Sequence, residues 1–189
     1  MKRQDYQVTS WCRRMMKDHV EEGAFCIDAT MGNGNDTEYL CRLAGRNGRV
    51  LAFDIQEAAL AATEKRLKAS LDYCNYKLCC DSHSNMKKYA APESADCIVF
   101  NLGYLPGGDH TVATQPETTV DALSQGLVLL KKGGMMSVCI YSGGDSGFAE
   151  RDAVFDFLKN LDSRNYLALV TQYYNRPNHP PVPAMVIKL

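Results

Sequence analysis

Short apolar runs alternate with helical patterns of apolar positions along most of the chain. Each run is short, mostly apolar and close to a turn signal, which is typical of a strand that is buried on both faces of a parallel sheet. We predict strands at residues 25–27, 50–53, 76–79, 97–100 and 135–140. Strands of this kind must be covered on both sides, so the pattern indicates an α/β fold.

Helical patterns fill the segments between these runs. They predict helices at residues 37–43, 57–71, 86–90 and 118–131, and the last is expected to end where two lysines and two glycines follow, at residues 131–134. A repeated order of strand, helix and strand requires right-handed crossovers. The sequence therefore predicts a doubly wound, mostly parallel sheet with helices on both faces.

The two ends of the chain add a helix and a hairpin. Val8, Trp11, Met15 and His19 recur at helical spacing, so residues 1–22 should form an amphipathic helix that packs on the domain. A helix at 148–161 precedes strands at 166–173 and 184–188, and only a loop joins these two strands, which must then be antiparallel. A seven-stranded sheet with this hairpin resembles the Rossmann-like class I methyltransferase architecture.

Composition narrows the class of protein only a little. The chain has 189 residues, of which 46% are hydrophobic, so we expect residues 1–189 to form a single domain. A formal net charge of -1 gives no general attraction to polyanions. The first residues are charged throughout, which predicts a cytoplasmic protein without a membrane span. The eight cysteines are scattered without a C-x-x-C pair, so we expect buried free thiols and no metal site.

A polar, glycine-containing loop at residues 28–37 follows the first predicted strand and opens a helix. Glycines let the backbone approach a ligand closely, and the helix N-terminus offers unpaired N–H groups. Asp54 ends the next strand, twenty positions after Gly34. A carboxylate there can accept both hydroxyls of an adenosine ribose, while Ile55 could pack on the adenine and Gln56 add a polar contact.

Two details of the loop favour S-adenosylmethionine over a nicotinamide dinucleotide. The dinucleotide fingerprint has a third glycine where this chain has Thr37. Asp28 adds negative charge that suits the ammonium of a methionyl group better than a pyrophosphate. The alternative is that Asp28 and Asp36 only cap the helix, although capping and ligand binding are compatible.

A second polar loop follows the fourth strand, at the edge where this architecture holds its chemistry. Asn101 and loop carbonyls can accept hydrogen bonds from an amine, Tyr104 can stack on a base, and Asp109 and His110 could collect a proton. We therefore predict Asn101, Tyr104, Asp109 and His110 as catalytic. An ordinary turn is the alternative for this loop.

The complete set of predicted binding residues extends over five segments. Ser82 and His83 follow the third strand, where a cofactor contact and a loop cap are equally plausible. The predicted cofactor-binding residues are Asp28, Thr30, Met31, Gly32, Asn33, Gly34, Asn35, Asp36, Thr37, Asp54, Ile55, Gln56, Ser82, His83, Asn101 and Gly103. A proline-rich loop could clamp a splayed nucleobase, so the predicted substrate-binding residues are Tyr104, Leu105, Pro106, Gly107, Tyr174, Asn175, Arg176 and Pro177.

The loops at 28–37 and 101–110, with the tail motif from Asn175 to Pro181, resemble the YtqB/MnmM family, formerly labelled rRNA methylases. The resemblance implies methylation of the aminomethyl group of 5-aminomethyl-2-thiouridine at the tRNA wobble position. It also implies the tRNA anticodon stem-loop as partner, and a homodimer is our hypothesis for how so small a chain covers it. Basic groups at residues 2–3, 13–17, 65–68 and 87–88 could contact RNA but equally suit any solvated helix face.

Three other functions fit parts of this pattern. A methyltransferase acting on another RNA, such as rRNA, or on a small-molecule amine would use the same two loops. A nicotinamide-dependent oxidoreductase would use the first loop and Asp54. The third alternative is a module without catalytic activity that binds the cofactor or RNA.

Overall fold

A computed structural model describes residues 6–103, 115–142 and 147–189 of the chain. Helices and strands alternate from the first turn onward, as the apolar pattern predicts. Along the chain they are α1 (Val8–His19), β1 (Phe25–Asp28), α2 (Asn35–Ala44), β2 (Arg49–Asp54), α3 (Glu57–Ser70), β3 (Tyr76–Cys80), a 3₁₀ helix (His83–Lys88), β4 (Ala95–Asn101), α4 (Pro116–Leu129), β5 (Leu130–Ile140), α5 (Gly147–Lys159), β6 (Tyr166–Val170) and β7 (Val182–Lys188).

The strands form one seven-stranded sheet with the order β3-β2-β1-β4-β5-β7-β6. Strands β1 to β5 are parallel to one another, and β7 is antiparallel to both β5 and β6. The predicted doubly wound sheet with an antiparallel C-terminal hairpin is confirmed. Because the order reverses at β1 and β4, the loops after these strands diverge and leave a crevice at the carboxyl edge.

Two apolar layers cover the sheet. On one face, Phe53, Ile98 and Phe100 pack with Leu123 of α4 and Val154 of α5. On the other face, alternate residues of the same strands pack against α1, α2 and α3, including Val50, Val99, Met16, Leu40 and Leu67. Burial on both faces explains why the central strands β1, β2 and β4 are nearly continuously apolar, whereas β3 at the edge of the sheet is partly exposed.

Helix α4 ends two residues earlier than predicted, and β5 begins at once with Leu130. The two lysines and two glycines at residues 131–134 thus belong to the strand. Lys131 pairs with Asp96. The end of α4 is stabilised by Lys188, which is distant in sequence but close in space. Its Nζ donates to the carbonyls of Leu127 (3.2 Å) and Leu130 (2.8 Å). A cap supplied by β7 leaves no signal beside the helix.

Other predictions also needed correction. The buried face of α1 is turned by about one residue, so Val8, Cys12 and Met16 are buried and Trp11 is only half-buried. The segment predicted as a helix at 86–90 is instead the 3₁₀ helix, and β6 ends at Val170.

All eight cysteines are free as predicted, but Cys74 and Cys80 are exposed. No helix in the described ranges is long and apolar enough to cross a membrane.

Candidate functional site

The loop after β1 follows a tight path across the carboxyl edge of the sheet. Gly32 and Gly34 both have positive φ angles, 49° and 75°. Backbone hydrogen bonds from Met31 N to Phe53 O (2.9 Å) and from Gly34 N to Met31 O (2.8 Å) hold the turn against β2. The predicted strand, glycine turn and helix are therefore present, and α2 begins directly behind the turn at Asn35.

Asp28 holds this loop from inside the protein. Its carboxylate is fully buried and accepts hydrogen bonds from Thr37 Oγ1 (2.6 Å) and from the backbone N of Thr30 (3.1 Å). Burial, and then the nearby charge of Asp36, raise the pKa of Asp28 to about 7. Since the Asp28 side chain has no exposed surface, it would affect a bound ligand only by holding the loop in place.

Asp28→Asn should flatten the dependence of stability on pH. The unfolded carboxyl ionises near pH 4 and the folded one near pH 7, so Asp28 costs the native protein progressively more stability as pH rises between these values. We expect the free energy of unfolding of Asp28→Asn, relative to the unmodified protein, to rise by roughly 2 kcal/mol from pH 5 to pH 7. Urea denaturation at several pH values measures it.

The matched control for that experiment is Asp18→Asn, at an exposed position of α1. Its stability relative to the unmodified protein should change little over the same pH range. An equal rise in both variants would contradict the assignment of the pH dependence to Asp28. Asparagine keeps the shape of the carboxyl group and can still accept from Thr30 and donate to Thr37, so the loop should persist.

Helix α3 supports the back of the loop through residues that sequence analysis missed. A Cβ at Gly34 would lie 2.8 Å from Thr63 Cγ2, so the loop and α3 are in close contact there. Thr63 Oγ1 donates to Gly32 O (3.0 Å), and Arg66 Nε donates to Asn33 O (2.8 Å). Their spacing of three puts both on one helix face, but nothing in the sequence links that face to the loop.

Asp54 closes the front of the loop from the end of β2. Its Oδ2 accepts from Gly32 N at 3.1 Å, and its Oδ1 accepts from Gln56 N at 3.0 Å. The carboxylate remains partly exposed, and Ile55 beside it is more than half exposed. The predicted juxtaposition of Asp54 with the glycine turn is therefore present. Each carboxylate oxygen has two lone pairs and can accept a further bond from a ligand hydroxyl.

His83 lies at the start of the 3₁₀ helix, with its ring edge-on to Phe100 at 6.2 Å between ring centroids. Burial lowers the pKa of His83, so the ring is neutral at neutral pH. Its Nε2 atom is buried and has no hydrogen-bond partner within the described residues. Ser82, in contrast, caps the 3₁₀ helix, because its Oγ accepts from Ser84 N at 3.2 Å. The loop-cap interpretation therefore applies to its side chain.

Asn101 ends β4 and faces the loop. Its backbone N donates to Thr30 Oγ1 (2.7 Å), and its side-chain Nδ2 donates to Asp36 Oδ2 (2.8 Å). The other oxygen of Asp36 accepts from Arg13 Nε at 2.9 Å. Both carboxylate oxygens of Asp36 thus accept from protein groups, and the residue is nearly buried, so its side chain offers a ligand less than that of Asp54 does.

Arg13 was grouped with basic residues that could contact RNA, but the structure gives it a different position. It pairs with Asp36, and a second guanidinium nitrogen donates to Asn35 O at 3.0 Å. Tyr39 of α2 donates its hydroxyl to Arg13 O at 3.0 Å. Helix α1 is therefore attached to the loop by a polar network, while its apolar face packs on the sheet.

A cleft of about 900 Å³ lies close to Gly103. It runs between the start of α1 and the proline-rich loop, and Tyr6, Tyr141, Tyr173 and Arg176 contribute to its walls. A Cβ at Gly103 would lie 3.8 Å from Cβ of Tyr141, so the cleft adjoins the end of β4. Tyr173 donates its hydroxyl to Tyr6 O and joins the two sides.

The proline-rich loop presents a different tyrosine from the one predicted. Tyr174 is 100% exposed and Asn175 is exposed, and neither lines the cleft, whereas Arg176 and Pro177 do. Tyr173 lines the cleft instead, while a substrate contact of Tyr174 stays a prediction. Other predicted residues of the second loop, Tyr104, Leu105, Pro106, Gly107, Asp109 and His110, lie outside the described residues.

These groups suit an adenine nucleoside. Asp54 offers acceptors for two ribose hydroxyls, and the exposed Ile55 offers an apolar surface for a flat ring. The unpaired Nε2 of neutral His83 can accept a hydrogen bond, such as one from an exocyclic amino group. A buried polar atom without a partner is costly, so a ligand that satisfies it would gain affinity.

The sequence and structure are similar to those of known methyltransferases. Residues 50–187 match the family model described as "Putative rRNA methylase". A tRNA (mnm(5)s(2)U34)-methyltransferase, chloroplastic, from Arabidopsis thaliana is 34% identical over 174 residues, which cover 85% of this chain and 62% of that protein. The chain thus spans less than two thirds of the length of that relative.

Two solved structures cover nearly the whole chain. A structure described as an rRNA methylase from Clostridium thermocellum is 43% identical with a TM-score of 0.91, covering 97% of this chain and 98% of that chain. A methyltransferase from Streptococcus mutans in complex with SAH is 37% identical with a TM-score of 0.88, covering 100% of this chain and 99% of that chain.

Proposed function

The chain belongs to this rRNA methylase family, and from that membership we propose that it is an S-adenosylmethionine-dependent methyltransferase of tRNA. The proposed acceptor is the aminomethyl nitrogen of 5-aminomethyl-2-thiouridine at the wobble position. The observation that carries the proposal is the placement of the Asn101 amide at the carboxyl edge of the sheet, where it bonds to the loop after β1. The name of the Arabidopsis relative supports this acceptor.

S-adenosylmethionine fits the residues of the first loop and its neighbours. Asp54 would hold the ribose, with Ile55 and His83 at the adenine, while backbone N–H groups of the loop would face the methionyl part. The fold supports the same cofactor, because the S. mutans structure was determined with SAH. When bound, the cofactor supplies a methyl group on a sulfonium. The thioether is the leaving group of the in-line transfer, and it needs no further activation.

The protein then has to position the amine. Nδ2 of Asn101 faces Asp36, so Oδ1 is the end of the amide directed away from that carboxylate. An N–H of the incoming amine can donate to Oδ1 while its lone pair points at the methyl carbon. As the N–C bond forms and the C–S bond breaks, the nitrogen must lose a proton. Asp109, His110 and Tyr104 stay our predictions for that part of the site.

The aromatic cleft is the proposed seat of the target base. An unpaired wobble base can stack between tyrosine rings, and Arg176 would contact a neighbouring phosphate. The rings of Tyr6, Tyr141 and Tyr173 line a single cleft that adjoins Gly103. Predicted contacts of Leu105, Pro106, Gly107 and Pro177 with the substrate belong to the same proposal.

Tyr173→Ala should raise the KM for tRNA by about tenfold, since base stacking on an aromatic side chain contributes about 1–3 kcal/mol. Tyr174→Ala is the matched control, because the adjacent ring is fully exposed and does not line the cleft. It should change KM less than twofold. Tyr173→Phe keeps the ring, so its KM for tRNA should be close to that of the unmodified enzyme. A larger effect at Tyr174 than at Tyr173 would contradict this placement.

Mass analysis of the wobble nucleoside tests the function directly. Bulk tRNA that lacks the modification is incubated with the protein and labelled S-adenosylmethionine, and the nucleosides are separated. We expect one added methyl on the aminomethyl nitrogen. Label that appears only in rRNA, or only in small amines, would replace the proposed acceptor with one of these alternatives.

A monomer that modifies tRNA at the full rate would refute the homodimer hypothesis.

A further inference from the structure

We propose that Asp36 is a positioning residue, which holds the Asn101 amide in the orientation that turns Oδ1 toward the acceptor amine. The inference rests on the proposed function and assigns Asp36 a part in it. Asp36 lies in the first turn of α2, is only 8% exposed, and uses one carboxylate oxygen for Asn101 and the other for Arg13.

The amide group of an asparagine side chain is nearly symmetric in shape. The oxygen and the NH₂ of asparagine have nearly the same shape, so hydrogen-bond partners alone decide which end faces which way. An ionised carboxylate can only accept. Asp36 therefore selects the NH₂ end of Asn101, at 2.8 Å, and leaves the carbonyl end for the opposite side. The bond from Asn101 N to Thr30 Oγ1 fixes the backbone at the same point.

The orientation matters because the two ends of the amide would treat an amine differently. Oδ1 accepts an N–H and leaves the nitrogen lone pair free for the methyl carbon. A flipped amide would instead donate to that lone pair and compete with the transfer. The orientation of Asn101 therefore determines whether its contact with the amine assists or hinders attack.

Arg13 keeps Asp36 in place. Its guanidinium contacts both Asp36 Oδ1 and Asn35 O, and its charge lies 5.3 Å from the centre of the Tyr39 ring. Helix capping does not account for Asp36, because Gly34 is the N-cap of α2 and no side-chain cap is present there. The contacts of Asp36 instead connect α1 to the end of β4.

A reciprocal exchange of the two side chains tests the proposal. In Asp36→Asn, the new oxygen keeps Arg13, so the new NH₂ faces residue 101 and Asn101 flips. We expect the single-turnover rate to fall about 10- to 100-fold, as for one lost hydrogen bond to a charged group. Asn101→Asp places two carboxylates against each other and should be at least as slow. The double variant D36N/N101D restores one donor and one acceptor with an oxygen facing the amine, and should recover to within about tenfold of the unmodified rate.

Glu38→Gln is the matched control, since it removes a charge from the same turn of α2 and contacts Arg42 and Arg66 instead of Asn101. It should leave the rate within about twofold. A merely structural role for Asp36 predicts additive losses, so a double variant no faster than the slower single variant would overturn the inference.

A second readout separates this inference from the proposed function. The side-chain NH₂ resonances of Asn101, identified by their loss in Asn101→Asp, should move markedly in Asp36→Asn. Unmoved resonances would overturn the inference even if tRNA is methylated. If the unmodified protein transfers no methyl to tRNA, the proposed function fails, while the resonances still decide whether Asp36 orients Asn101.

Discussion

Replacing Gly34 with alanine should lower the free energy of unfolding by roughly 2–5 kcal/mol. Two costs add at this position. The φ angle of 75° is strained for any residue with a side chain, at about 1–2 kcal/mol. The new Cβ would also lie 2.8 Å from both Cγ2 and Oγ1 of buried Thr63 and 3.0 Å from its Cα, and such overpacking typically costs a further 1–3 kcal/mol. Urea denaturation measures the sum.

Gly133 provides a matched control because its φ angle is 76° and a Cβ there would meet nothing within 4 Å. Gly133→Ala should therefore show the backbone cost alone, about 1–2 kcal/mol. The difference between the two variants reports the close contact of the loop with α3. Equal losses at both positions would mean that the contact with Thr63 relaxes at no cost. Gly34→Ala should also weaken binding of S-adenosylhomocysteine, because Gly32 shares the turn.

Strands β1, β2, β4 and β5 were predictable because each lies in the interior of the sheet, whereas β3 lies at its edge and is partly exposed. Burial on both faces imposes uninterrupted apolar runs, and these can be recognised in the sequence without knowledge of their neighbours. The hairpin of β6 and β7 was predictable for a different reason, since a loop without a helix cannot join parallel strands. The ends of the elements were harder to predict. At Leu129, for example, the end of α4 is capped by Lys188 of β7.

The glycine turn and Asp54 were also predictable, because both occupy fixed places after a strand. The supporting groups were not. Arg13, Thr63 and Arg66 reach the loop from helices that are distant in sequence, and their own surroundings resemble any solvated helix face. Tyr173 lines the cleft and Tyr174 does not, and since both lie beyond the end of β6, no strand alternation in the sequence distinguishes them.

Asp54→Ala should reduce the affinity for S-adenosylhomocysteine by about 100-fold or more, and tRNA methylation should fall with it. The carboxylate serves twice, because it holds the N–H groups of Gly32 and Gln56 and, in our proposal, accepts the ribose hydroxyls. Hydrogen bonds to charged groups contribute about 1.5–3 kcal/mol each, and two of them exceed the roughly 2.7 kcal/mol that a 100-fold change requires. Calorimetric titration gives the dissociation constant.

The control for this variant is Asp72→Ala, at a side chain that is 78% exposed and paired with Arg46 on the surface. The affinity of Asp72→Ala for S-adenosylhomocysteine should stay within about twofold of that of the unmodified protein. Loss of affinity in Asp54→Ala has two sources, and Asp54→Asn separates them. The amide can accept through only one atom, so it keeps part of the loop's support but loses the charge and half of the acceptors. If both Asp54 variants bind S-adenosylhomocysteine as tightly as the unmodified protein, the carboxylate that supports Gly32 from the end of β2 does not hold the ribose.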